Sequence, residues 1–144
     1  AQLALVQSAL GRGDLGAAGG RLRVVEGLLA GRDLLPQAAA VGVMRGELQL
    51  AYPPAIAGQA SGWPDLRDTL QMAERLGSPW LLWRTLWAIA RASEREGKAE
   101  SARATLTAAV AVLEAAAAHA PEAARESFWS FPERAAARAA LRGR

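Results

Sequence analysis

The feature that most constrains the fold is an internal repeat at an offset of 84 residues. When residues 15–29 are superimposed on residues 99–113, small and large apolar side chains come into register. The matched pairs are Ala18 with Ala102, Leu22 with Leu106, Val25 with Ala109, and Leu29 with Leu113. Gly13 and Gly97 precede these two copies, and a middle copy consists of Leu66, Leu70 and Ala73. Such self-similarity predicts that one helical hairpin is repeated along the chain.

The composition favours an all-α protein. Hydrophobic residues make up 51% of the 144 residues, Ala, Leu and Arg are abundant, and β-branched runs are scarce. The chain contains no cysteine, which excludes disulfide bonds and thiolate metal sites. Arg, Glu or Gln interrupts nearly every apolar stretch before it is long enough to cross a membrane, so we expect no membrane contact and a cytoplasmic location. Because the chain begins at Ala1 without a leader, we expect it to be a piece of a larger protein.

Helical periodicity and turn residues predict eight helices. Their expected ranges are 1–10, 15–31, 34–51, 65–76, 79–96, 99–119, 122–130 and 133–141, with a long Pro- and Gly-containing connection over 52–64. Asp14, Asp33 and Ser78 are the expected N-caps. In the third helix, Val41 and Met44 should face inward and Arg45 should face solvent. We predict a single domain with hairpins at about 1–31, 34–76 and 78–119 and a cap at 121–142.

Small side chains at Ala90, Ala102 and Ala109, with the bulky Leu106 among them and Gly97 between the helices, resemble a tetratricopeptide repeat. More narrowly, residues 65–142 resemble the last repeat and closing helices of large bacterial signalling ATPases and transcriptional activators. The segments that carry this resemblance are 77–83, 97–102, 121–122 and 125–128. It implies antiparallel hairpins stacked as a short solenoid with capping helices. It also implies a protein-binding groove lined by first-helix residues, namely Arg84, Trp87, Arg91 and Arg95.

Aromatic residues form two clusters in the second half of the chain. Trp80, Trp83 and Trp87 lie on one helical stripe, which would either pack on the preceding helix or supply contact area in the groove. Phe128, Trp129 and Phe131 are expected to cover the open end of the stack. If the stack left them exposed, they would instead form a docking patch.

The sequence offers little that could support catalysis. The one histidine, His119, is expected at a helix end, and Gly11 to Gly16 predict a turn rather than a phosphate loop. We therefore expect no catalytic residue, no metal and no cofactor. The predicted function is a non-catalytic protein-interaction or regulatory module. Its partner would be a protein or peptide, another domain of the parent chain, or a second copy in a homodimer.

An alternative function is a nucleic-acid-binding helical domain that uses the Arg-rich C-terminus. The residues that would carry it are Arg134, Arg138, Arg142 and Arg144. Elsewhere the cations are scattered among glutamates, and the net charge is only +3. Nucleic-acid binders usually gather their cations on one face, so this alternative is disfavoured.

Overall fold

The structure, a computed structural model, describes residues 2–32, 34–51 and 66–143. The chain forms two compact units, Ala1–Leu76 and Gly77–Arg144. The first contains α1 (Gln2–Gly11), α2 (Leu15–Leu29), α3 (Leu35–Ala51) and α4 (Leu66–Leu76). The second contains α5 (Pro79–Arg95), α6 (Ala99–His119), α7 (Glu122–Ser130) and α8 (Pro132–Arg142). No strand occurs in the described ranges, and the predicted all-α class is confirmed there.

Local sequence signals place the helix starts where they were predicted. The Asp14 carboxylate accepts a hydrogen bond from the Ala17 N–H at 3.0 Å and caps α2. The Ser78 hydroxyl accepts one from the Leu81 N–H at 3.4 Å, and Pro79 opens α5. The expected Asp33 cap and the 52–64 connection lie outside the described residues. The single-domain assignment stays a prediction.

The turn between α1 and α2 has the hydrogen bonds of a Schellman cap. Gly13 has a positive φ of 71°, its N–H donates to Leu10 O at 3.0 Å, and the Asp14 N–H donates to Ala9 O at 3.0 Å. The same bonds recur 84 residues later between α5 and α6. There the φ of Gly97 is 75°, and the bonds join Gly97 to Glu94 (2.9 Å) and Lys98 to Ser93 (2.8 Å). Glycine suits both turns because a Cβ is strained at positive φ.

The buried positions of the α1–α2 hairpin also correspond to those of the α5–α6 hairpin. Ala18 and Ala102 are both fully buried, and Leu22 and Leu106 are both buried beside them. In the first unit the core joins α1, α2 and α3 through Val6, Leu22, Val25, Val41 and Met44. In the second unit it joins α5, α6 and α8 through Trp83, Ala90, Leu106, Val110, Leu113 and Ala137. Each hairpin thus buries its second helix through the same alternation of small and large side chains.

Two glycines let α3 approach α4 closely. A Cβ placed on Gly42 would lie 3.2 Å from both Cβ and Cγ2 of Thr69 and closer still to the Thr69 hydroxyl oxygen. A Cβ on Gly46 would lie 2.9 Å from Leu66 Cγ. Because Thr69 is fully buried and β-branched, it has little room to move away. Neither glycine stands out in the periodicity of the sequence.

Arg45 departs from its predicted solvent position. Its guanidinium forms an ion pair with Glu26 of α2, and both side chains are largely buried. Desolvation lowers the pKa of Arg45 from its ordinary value. A buried charge of one sign needs a partner of the other, so the pair helps to orient α2 against α3.

One described helix, α6, is long and apolar enough by length and composition to cross a membrane. The expectation that no stretch reaches this length was therefore wrong, because the many alanines of α6 count as apolar. One side of the helix is buried within the second unit, where Leu106, Val110 and Leu113 belong to the core. A core helix commonly meets the same length and composition limits.

Candidate binding surface on α5

The four residues predicted to line a groove differ in their exposure along α5. Arg84 is only 3% exposed, Trp87 is half-buried, and Arg91 and Arg95 are exposed. The stripe therefore passes from the interior of the second unit to its surface toward the C-terminal end of the helix. We call its outer part, formed by Trp87, Arg91 and Arg95, the Trp87 surface.

Arg84 is engaged within the chain. Its Nη1 donates to Glu133 Oε2 of α8 at 3.2 Å, and its guanidinium lies 5.3 Å from the centroid of Trp80 and 5.9 Å from that of Trp83. The carboxylate and the rings compensate a cation that would otherwise be costly to bury. Arg84 thus ties α5 to the first turn of α8. No local sequence pattern predicts this pair, because its members are 49 positions apart.

The tryptophan stripe divides between core and surface. Trp83 is 4% exposed and lies in the core of the second unit, with Trp87 packed against that core. Their rings stack with centroids 5.6 Å apart and planes 25° apart. Trp80, at 37% exposure, stays at the surface. The structure thus places Trp83 and Trp87 in a cluster whose other members come from α5 itself and from α6, α7 and α8.

The exposed side of α5 carries a cation above an aromatic ring. The Arg91 guanidinium lies 6.0 Å from the centroid of Trp87, within the range of a cation–π contact. Because Trp87 also stacks on the buried Trp83, the ring has a rigid base. The Trp87 surface therefore offers a half-buried aromatic ring supported by Trp83, with a guanidinium beside it.

Two aromatic residues of α7 cover part of the core of the second unit, and whether they close the end of a hairpin stack stays a prediction. Phe128 and Trp129 pack against the core of the second unit and meet edge to face with centroids 5.3 Å apart. Phe131 differs, since it is 55% exposed. The Arg134 guanidinium lies 4.1 Å from the centroid of Phe128 and 4.6 Å from that of Phe131, and it donates to Phe128 O at 3.1 Å. These contacts hold α8 to α7.

Two further titratable side chains, those of His119 and Glu96, make local contacts. His119 Nδ1 lies 2.7 Å from Ala115 O at the end of α6, where it was predicted. Glu96 is exposed and pairs with Lys98, whose Nζ lies 2.6 Å from Oε2. The hydrogen bond from Lys98, and then its charge, lower the pKa of Glu96. Among the described residues, no three metal-ligating side chains come together.

Comparison of the chain with protein-family models, with curated proteins and with solved structures finds no match.

Proposed function

We propose that this chain is a non-catalytic protein-interaction module, built from stacked tetratricopeptide-like hairpins, in a bacterial signalling or transcription-regulatory protein. The observation that carries the proposal is the recurrence of one hairpin, with the same turn hydrogen bonds and the same buried positions, 84 residues apart. Chains that repeat a helical hairpin form extended surfaces that bind other proteins. The proposed location is the cytoplasm.

The Trp87 surface is the proposed contact region. Tryptophan and arginine are the residues most enriched where protein interfaces derive their binding energy. Because the Trp87 ring already stacks on Trp83, the Trp87 side chain loses less entropy when a partner binds. The exposed Arg91 beside it favours a partner that carries a carboxylate. The partner is a peptide, a domain of the parent protein or a second protomer, and in each case an acidic, partly apolar segment suits this surface.

Arg134 and Arg138 favour this function over the nucleic-acid alternative. Both guanidiniums lie over aromatic rings of the same unit, Arg134 over Phe128 and Arg138 over Trp129. Two of the four C-terminal cations thus contact the protein itself. A binder of phosphate backbones needs a row of cations that reach outward.

Charge reversal at Arg91 is the test. Peptides selected from a random phage-displayed library against the whole chain would be synthesised, and their affinity measured by fluorescence anisotropy. We expect Arg91→Glu to weaken binding at least about tenfold, roughly 1.4 kcal/mol. The reason is that a carboxylate of the peptide would then meet a second carboxylate.

Arg103→Glu is the matched control, because Arg103 is an exposed arginine on α6 and its reversal changes the net charge equally. Arg103→Glu should change the affinity of the selected peptides by less than about twofold. Equal losses in the two variants would contradict the proposed surface, as would selected peptides that bind Arg91→Glu as well as the unaltered chain.

A further inference from the structure

The last two helices are joined to each other within the second unit, and we call α7 and α8 together the α7–α8 cap. The Arg134 guanidinium of α8 lies 4.1 Å from the centroid of Phe128 of α7 and donates to Phe128 O. The Arg138 guanidinium of α8 lies 4.4 Å from the centroid of Trp129 of α7. Because both contacts lie within the cap, they hold its helices to each other and not to α5 or α6.

The attachment of the cap to the rest of the unit is shallow. None of the nine residues of α7 is buried, and among the eleven residues of α8 only Ala137 is. Four further apolar side chains of the cap pack on the core but stay partly exposed, namely Phe128, Trp129, Ala140 and Leu141. In contrast, α6 buries six side chains. Since the free energy of burial scales with the apolar area removed from water, the cap is held less firmly than the α5–α6 hairpin.

The junction between α6 and the cap contains the features of a hinge. Neither α7 nor α8 has a side-chain N-cap, and Pro121 and Pro132, at the starts of these helices, have no backbone N–H to donate. Beside Pro121, Arg125 donates to the carbonyl oxygens of Ala118 and Ala120 at 3.4 and 3.2 Å. These bonds tie the near end of the cap to α6, while α8, at the far end, depends on its own contacts.

The contact that gives α8 its specificity is an ion pair. Arg84 Nη1 lies 3.2 Å from Glu133 Oε2, and Arg84 is 3% exposed. A cation removed from water is costly, so this buried guanidinium favours a carboxylate beside it. Three apolar residues follow the acid on the same side of α8, at i+4, i+7 and i+8, namely Ala137, Ala140 and Leu141. One acid followed by apolar residues at these spacings is therefore the pattern that fits α5 and α6.

We propose that the face of α5 and α6 covered by α8, the α8 site, binds an amphipathic helix of a partner protein, and that α8 occupies this site in the free chain. The partner helix carries a glutamate, small apolar residues four and seven positions later, and a leucine at the eighth. Its glutamate replaces Glu133 at Arg84, and its apolar side covers the same core side chains. A helix longer than the eleven residues of α8 contacts additional surface and therefore displaces α8.

A second copy of this chain is a poorer occupant of the α8 site than a partner helix. Exchange of α8 between two copies replaces every contact by an identical one, while association costs translational and rotational entropy. The inference shares only the kind of partner, a protein, with the proposed function and uses other residues. Arg91→Glu, the test of the Trp87 surface, should change binding at the α8 site by less than about twofold, so the two proposals fail separately.

The first measurement is hydrogen exchange of the whole chain, followed by NMR. We expect the backbone amides of α8 to exchange at least about tenfold faster than the buried amides of α6, because the cap opens without unfolding of the α5–α6 hairpin.

The second measurement is the affinity of the whole chain for a fluorescent peptide of residues 131–143, by anisotropy. Glu133→Gln in the chain weakens the hold of its own α8, raises the fraction of open molecules and should tighten binding of the unaltered peptide about fivefold. Glu133→Gln in the peptide should instead weaken its binding to the unaltered chain about fivefold. General charge attraction predicts the opposite sign in the chain, because losing an acid there repels this cationic peptide.

Two controls define the site. Glu126→Gln removes an exposed acid from α7, changes the net charge equally and should alter the affinity by less than about twofold. Ala137→Asp in the peptide should abolish binding, because it places a carboxylate at a fully buried position. Circular dichroism and thermal melting establish that the chain variants fold. The peptide variants need no folding of their own, so they decide the matter if a chain variant does not fold.

Several results would overturn the inference. They are α8 amides as protected as those of α6, a Glu133→Gln chain that binds the peptide no more tightly than the unaltered chain, and an Ala137→Asp peptide that binds as well as the unaltered one. A concentration-dependent dimer of the Glu133→Gln chain in light scattering would assign the α8 site to a second copy instead of a partner.

Discussion

Replacing Trp83 by alanine should destabilise the second unit by about 4 kcal/mol, the usual cost of removing a buried tryptophan. Trp83 is 4% exposed and contributes to the core that α5 forms with α6 and α8. The substitution removes the indole and also the ring on which Trp87 stacks. Surrounding helices can close only part of the resulting cavity, so most of the lost contact energy is not recovered.

Trp80 provides the control three residues earlier on the same helix. Its ring is 37% exposed and contacts the Arg84 guanidinium at 5.3 Å, so Trp80→Ala should cost only about 1 kcal/mol. Urea denaturation of both variants, followed by far-UV circular dichroism, gives the two values. If the two substitutions cost the same, Trp83 is not the core residue that the structure shows.

Replacing Gly42 by alanine should destabilise the first unit by about 2 kcal/mol. Alanine is the better helix former by about 1 kcal/mol, but overpacking a closed contact costs about 3 kcal/mol. The added methyl group would meet the fully buried, β-branched Thr69 of α4, which has little room to move away. Thermal and urea denaturation would show the loss as a lower midpoint.

Gly27→Ala is the matched control, because Gly27 lies inside α2 with open space where its Cβ would be. Gly27→Ala should stabilise the first unit by about 0.5 to 1 kcal/mol, whereas Gly42→Ala should destabilise it. Thr69→Ala combined with Gly42→Ala should recover part of the loss, since it removes Oγ1 and Cγ2 but keeps Cβ. If Gly42→Ala raised stability as Gly27→Ala does, the close approach of α3 to α4 would be refuted.

Helix positions were predictable because their signals are local. Asp14 caps α2 from three positions away, and Gly13 and Gly97 occupy turns that only a residue at ease with positive φ can form. The small-to-large alternation also gave the buried face of α6 correctly, since apolar residues at spacings of three and four share one side of a helix.

The candidate site was predictable only in part. Periodicity placed Arg84, Trp87, Arg91 and Arg95 on one stripe of α5, but it could not tell which end of that stripe the rest of the unit covers. The structure buries Arg84 against Glu133 and leaves Arg91 exposed over Trp87.

By itself the amino-acid sequence determined that the described chain is helical, where its helices begin and end, and that one hairpin pattern recurs. Only the tertiary structure decided that Thr69 rests on Gly42, that Glu26 neutralises Arg45 and that Glu133 neutralises Arg84. The physical reason is the range of the interactions. Capping, turn geometry and periodicity act within a few residues, whereas close packing and ion pairing depend on which distant helices the folded core brings together.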